Sequence, residues 1–162
     1  MDKQINQLIN EWKFIRGLNL DILAQLNDEQ LHLTVGKNVG TLGEQFRHLV
    51  RVEFQYLDAI KTKTIQETKG IKDFEKLSGS KDKLMKLLNK LDEELIKTLQ
   101  SIKESKLTNY TIDWSYWHSK PMTIYNHLTA MISHETLHQG QIIIYMRAHN
   151  LKFPRSWKAW GL

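Results

Sequence analysis

Apolar residues recur at three- and four-residue steps over most of this chain, so helices are the expected elements. In the first segment Ile5, Leu8, Trp12, Ile15, Ile22 and Leu26 make one stripe, the signature of a helix burying a single face. Asn19 falls within that stripe and reads as a hydrogen-bonded core amide or a polar spot inside a bundle. Residues 27–41, NDEQLHLTVGKNVGT, lose the period and carry Gly36 and Gly40, so a loop is predicted. Thr41 then precedes a second stripe of Leu42, Phe46, Leu49, Val50, Leu57 and Ile60, with Glu44 placed to complete a capping box. After a lysine-rich connection, Ser78 or Ser80 is positioned to cap a third helix carrying Leu84, Leu88, Leu91, Leu95 and Ile102. Residues 107–121 break the period and read as an extended crossover. Pro121 suits the first turn of a fourth long helix running to about His149. The tail LKFPRSWKAWGL is rich in aromatics and is expected to pack back on the helices. Four long helices in one domain spanning 1–162 predict an all-α four-helix bundle.

Composition narrows the chemistry. Of 162 residues 41% are hydrophobic and 25% charged, the balance of a globular protein, and no apolar run approaches the roughly 18 residues that span a bilayer. The polar, helix-patterned N-terminus gives no sign of a signal peptide. With no cysteine there is neither a disulfide framework nor a thiolate ligand or nucleophile, so a cytoplasmic location is expected and any metal must rest on His, Asp or Glu. The net charge of +5 comes from lysines interleaved with acids, as in SKDKLMKLLNKLDEELIK, rather than from a one-signed arginine stripe. No nucleic-acid partner and no membrane partner are predicted.

The candidate chemistry lies in SHETLHQGQIIIY, where His134, Glu135 and His138 spell H-E-x-x-H. Imidazoles at i and i+4 project from one helix face and can share an ion. A zinc protease would need a further ligand downstream. Gln141 and Ile144 stand where the extended motif has Gly and His, and no acid follows Glu135. His149 lies about 16 Å beyond His138 on the same helix, and His127 about 10 Å before His134, at 1.5 Å per residue. The protease reading therefore fails, and a third ligand must come from another element. His48 lies inside the second helix, on the flank of its stripe near Val52 and Ala59. His32 and His118 lie in connections and reach such a site only if those loops fold inward. With His134 and His138, His48 makes the favoured triad for a site between facing helices.

Glu135 points about a quarter turn away from His134, toward Leu128, Met131 and Ile142. There it serves either as a partner of a ligand histidine or other buried donor, or as a general base. Gln141 and Tyr145 continue the histidine face as pocket donors or as interhelix hydrogen bonds. Trp114, Trp117, Trp157 and Trp160 are core residues by default, or roof a pocket or seal a dimer.

His48 within LGEQFRHLVRVE, then HETLHQGQI with Gly140 and Gln141, then Pro154, Trp157, Trp160 and Gly161 in the tail, together resemble the DinB/YfiT-like superfamily over essentially the whole chain. That resemblance implies a four-helix bundle, commonly a homodimer, holding one zinc or nickel ion on three histidines. It also implies one of several functions: thiol-dependent S-transferases and isomerases using low-molecular-weight thiols, or hydrolases of unassigned substrate. The expectation is a metal-dependent enzyme in which the ion activates a thiol or water against a small electrophilic molecule. The alternative is a non-catalytic metal- or ligand-binding stress protein.

Overall fold

A computed structural model describes residues 3–67, 74–117 and 120–162. His118 lies outside the described residues. Four long helices form the frame: α1 (Lys3–Gln25), α2 (Leu42–Thr62), α3 (Lys81–Ser101) and α5 (Ile124–Ala148). A short helix α4 (Ser105–Asn109) and a two-stranded antiparallel ribbon, β1 (Thr111–Ile112) with β2 (Met122–Thr123), fill the crossover before α5. The stripes read from the sequence meet in one core that includes Trp12, Ile22, Phe46, Leu84, Leu88 and Ile142, all nearly inaccessible to solvent. Each such side chain contributes roughly 1.5–3 kcal/mol on burial, which makes the paired stripes the main force holding the helices together. Among the described residues no helix is long and apolar enough to cross a membrane.

Helix ends show where local signals prevailed and where they did not. Thr41 and Glu44 form the reciprocal box: the Glu44 amide donates to Thr41 Oγ1 at 3.2 Å and the Thr41 amide donates to Glu44 Oε2 at 2.8 Å. Ser80 occupies the N-cap position of α3, but its hydroxyl makes no capping bond. The Lys81 amide instead donates to Asp28 Oδ1 at 2.8 Å, so an acid from the loop after α1 does the capping. Buried Leu99 completes the α3 stripe, and Ile102 lies just beyond the helix end. Pro121 does not open the fourth long helix. The chain stays extended through β2, and α5 starts at Ile124 under Thr123, whose hydroxyl accepts from the Asn126 amide at 3.2 Å. The crossover is thus part helix, part ribbon.

The tail packs as expected. Trp157, in a 3₁₀ turn over Arg155–Trp160, is fully buried, and its indole N–H donates to the Leu18 carbonyl of α1 at 2.8 Å.

The start of α2 has no spare room. A β-carbon at Gly43 would lie 1.9 Å from the Ser78 carbonyl oxygen, a clash with backbone. Gly43→Ala is therefore expected to destabilise the protein by about 1–3 kcal/mol, the usual cost of overpacking, despite the better helix propensity of alanine. Chemical denaturation measures this; an unchanged midpoint would mean that the helix start moves freely.

Candidate metal centre

His48 sits one and a half turns into α2, so the capped end of that helix fixes its height. His134 and His138 lie mid-way along α5, which packs along α2. The three imidazoles converge. His48 Nε2 is 3.2 Å from His134 Nε2, and His138 Nε2 is 3.3 Å from His134 Nε2. The three residues form a group in which one ring nitrogen from each could ligate a common ion. Nitrogens bound tetrahedrally at about 2.0–2.1 Å stand about 3.3 Å apart, so these separations suit a small divalent cation. His48 and His134 are half-buried, and His138 is 7% exposed.

The electrostatics favour neutral rings, the form that ligates. Burial, reinforced by the neighbouring His138 and His134 and by Arg51 and Arg47, pushes His48 down to about 3. Burial, with help from His138, pushes His134 down to about 4. Burial lowers His138 as well, against a hydrogen bond with Gln141 that works the other way.

Two residues that the sequence reading passed over bear on the ligands directly. His138 Nδ1 donates to Gln45 Oε1 at 3.0 Å, which turns its Nε2 lone pair toward the centre. Arg51 Nη2 lies 2.8 Å from His48 Nδ1. Gln45 and Arg51 stand three residues before and after His48, so helical adjacency was the signal that could have found them.

The remaining candidates are distributed as follows. Glu135 is buried and turned toward α1: its Oε1 accepts from Asn19 Nδ2 at 2.7 Å and lies 3.3 Å from Arg16 Nε. Of the partners its context allowed, it takes the buried donors and not a histidine ring. Asn19 is the core amide that the first stripe implied. Gln141 faces His138, and the Tyr145 hydroxyl donates to the Gly40 carbonyl, tying the loop before α2 to α5. His32 is exposed, packed near Gly79, and His149 Nε2 donates to the Thr34 carbonyl at 2.9 Å. Neither joins the centre.

His127 has a separate structural role. Its Nε2–H donates to the Tyr56 carbonyl at 2.9 Å while Nδ1 accepts from the Trp114 indole at 3.1 Å. Burial pushes it down to about 4, against the Tyr56 bond. The unfolded chain takes up the proton first as pH falls, so this residue's contribution is intact above 6.5 and is lost between 6.5 and about 4. The stability of His127→Gln is expected to fall less steeply than that of the parent over that window. Parallel denaturation-versus-pH curves would remove His127 from the acid response.

A cavity of about 340 Å³ opens on the His48–His134 side of the centre, walled in part by Tyr56 and Trp114. A larger one of about 430 Å³ lies against Gly140, Ile143 and Trp160, without any of the three histidines. The first is the relevant one, because only there would a bound molecule meet the ring nitrogens.

Comparison with known proteins bears on the family and the fold. The model of the DinB family matches residues 1–149. A DinB-like protein from Bacillus cereus superposes with a TM-score of 0.76 at 22% identity, covering 91% of this chain and 93% of that one. A DinB-like protein from Bacillus subtilis gives 0.71 at 16% identity, with coverages of 93% and 96%. No curated protein matches the chain in sequence.

Proposed function

The chain belongs to the DinB family, and from its three convergent imidazoles we propose that it is a divalent-metal-dependent enzyme acting on a small electrophilic molecule. The observation that carries this reading is the opening of the histidine cluster onto a cavity: a purely structural ion is enclosed by its ligands, whereas a catalytic one keeps a position for water or substrate. We assign His48, His134 and His138 as the ligands of one zinc or nickel ion. When bound, such an ion makes thiolate from a thiol, or hydroxide from water, near neutral pH.

The protein's own groups then have distinct tasks. The neutral rings supply lone pairs without adding charge, and Gln45 holds His138 in the ligating tautomer. Because the chain has no cysteine, a sulfur nucleophile must be an external low-molecular-weight thiol. Its sulfur forms the new bond to the electrophilic carbon as the leaving group departs with the electron pair; in hydrolysis a water oxygen takes the same role. Glu135, engaged with Asn19 and Arg16, acts as a positioning residue that holds α1 against α5. In this reading the protein works as a homodimer.

Loading the purified protein with zinc or nickel and screening small electrophiles, with thiols and with water alone, tests the proposal. Turnover is expected in the loaded protein and loss of at least about a hundredfold in His134→Ala, since metal-assisted steps depend on an intact ligand set. Equal rates with and without metal would sink it. Stoichiometric metal with no turnover on any electrophile would favour the alternative, a non-catalytic metal- or ligand-binding stress protein.

A further inference from the structure

The cavity beside the histidines carries chemistry that ligation does not use. Its apolar walls include the rings of Tyr56 and Trp114, set edge to face with centroids 5.5 Å apart, and the side chain of Ile65. Trp117 stands at the rim, 58% exposed. Planar aromatic walls favour a flat, unsaturated guest. Among the described lining residues Arg51 is the one permanent cation and Glu67 the one carboxylate. Arg16 and Arg47 are each paired with acids, but no carboxylate lies within ion-pair distance of Arg51 among the described residues. Its contact in the structure is His48 Nδ1.

That contact depends on which ring nitrogen carries the hydrogen. With hydrogen on Nε2, the Nδ1 of His48 accepts from Arg51. A neutral ring that gives its Nε2 lone pair to a cation carries its hydrogen on Nδ1 instead, and a guanidinium has only donors to offer. Loading the centre would therefore break the Arg51–His48 bond and release the Nη2 hydrogen it engages, leaving both terminal nitrogens of Arg51 for the two oxygens of a carboxylate. Glu67, whose carboxylate accepts from the Tyr116 hydroxyl at 3.4 Å, disfavours a second negative charge.

We infer that this cavity binds an aromatic monocarboxylate, with its carboxylate on Arg51 and its ring against Tyr56, Trp114 and Trp117, and that metal loading switches the anchor on. Calling that molecule the substrate rests on the function proposed above; its binding does not.

Calorimetric titration with benzoate, benzamide and phthalate, on zinc-loaded and metal-free protein, tests the inference without any turnover. Benzoate is expected to bind the loaded protein, Arg51→Gln to weaken it by about tenfold or more, and Arg51→Lys to weaken it less, since the charge remains but the fork is lost. Benzamide is expected to bind more weakly than benzoate and to be insensitive to Arg51→Gln, and phthalate to bind no tighter than benzoate. In metal-free protein, Arg51→Gln should change benzoate affinity far less than in loaded protein. An unchanged benzoate affinity in loaded Arg51→Gln would place the carboxylate on the ion and overturn the assignment. So would loss of zinc from that variant, which would make Arg51 part of the metal site. Benzoate binding as described with no turnover on any electrophile would defeat the proposed function and leave this inference standing.

Discussion

Replacing any one of His48, His134 and His138 with alanine is expected to weaken divalent-metal binding by at least about a hundredfold, against about one ion held per chain in the parent. The reason is geometric. Nε2 separations of 3.2 and 3.3 Å match two ligand pairs around one small cation. One ring nitrogen from each of the three lies within 4.8 Å of the others, so binding is expected with little rearrangement of the rings. Removing one ring leaves two donors, and none of the other described histidines is within reach. Gln45→Ala should do less, about tenfold, because it releases the orientation of His138 and not the ligand itself. Equilibrium dialysis against a competing chelator reads both effects. Full metal retention in all three alanine variants would remove the centre, and the enzymatic reading with it.

Arg16→Met is expected to cost about 3–5 kcal/mol, a fall in melting temperature of roughly 6–20 °C for a chain of this length. Arg16 is 1% exposed and stands at the middle of a network drawn from all four long helices. Its guanidinium lies 3.0 Å from Glu53 on α2, 3.6 Å from Asp92 on α3 and 3.3 Å from Glu135 on α5, with Trp12 stacked 4.6 Å away on α1. Burial works against the cation's charge, but Glu135, Glu53 and Asp92 together outweigh it and hold its pKa above the ordinary value. Burial also drives Glu53 well above the usual carboxylate range, with Arg16 opposing and Asp92 adding to the rise. Glu135 is raised by the same cause, with Arg16 and Asn19 opposing.

Methionine in place of Arg16 leaves those acids buried without their counter-charge, and the loss should be partly restored by adding Glu53→Gln and Glu135→Gln. The sign with pH follows from the raised carboxyls. The folded state binds their protons more tightly than the unfolded chain, so the contribution of these two carboxyls to stability falls as pH rises above about 4.5, and more steeply without Arg16. A melting temperature unmoved by Arg16→Met would show that the network contributes nothing net.

These two sites were not equally readable in the sequence. His134 and His138 are four residues apart on one helix, so their shared face follows from the period alone. Distance along a rigid helix excluded His127 and His149, and His48 was favoured over the loop histidines His32 and His118 because it lies inside another helix. The Arg16 network gave one trace, Asn19 interrupting an apolar stripe. Arg16, Glu53 and Asp92 look like ordinary helix charges until three other helices close over them. Glu135 shows the limit well: its direction was foreseeable from its angle on the helix, but not that Arg16 and Asn19 wait there.

The sequence by itself determined the four helices, the capping box at Thr41 and the shared face of His134 and His138, because each rests on side-chain periodicity or on contacts within a few residues. That His48 meets that pair depends on how α2 packs on α5. Only the tertiary structure decided that Asp28 caps α3, that β2 delays the start of α5 to Ile124, that Gln45 orients His138, and that Arg51 borders a cavity walled by Tyr56 and Trp114. Asp28, β2 and the cavity walls are brought into place by chain segments far apart in sequence. The Gln45–His138 bond needs the register between α2 and α5. That register is set by how whole stripes pack together, and no local pattern encodes it.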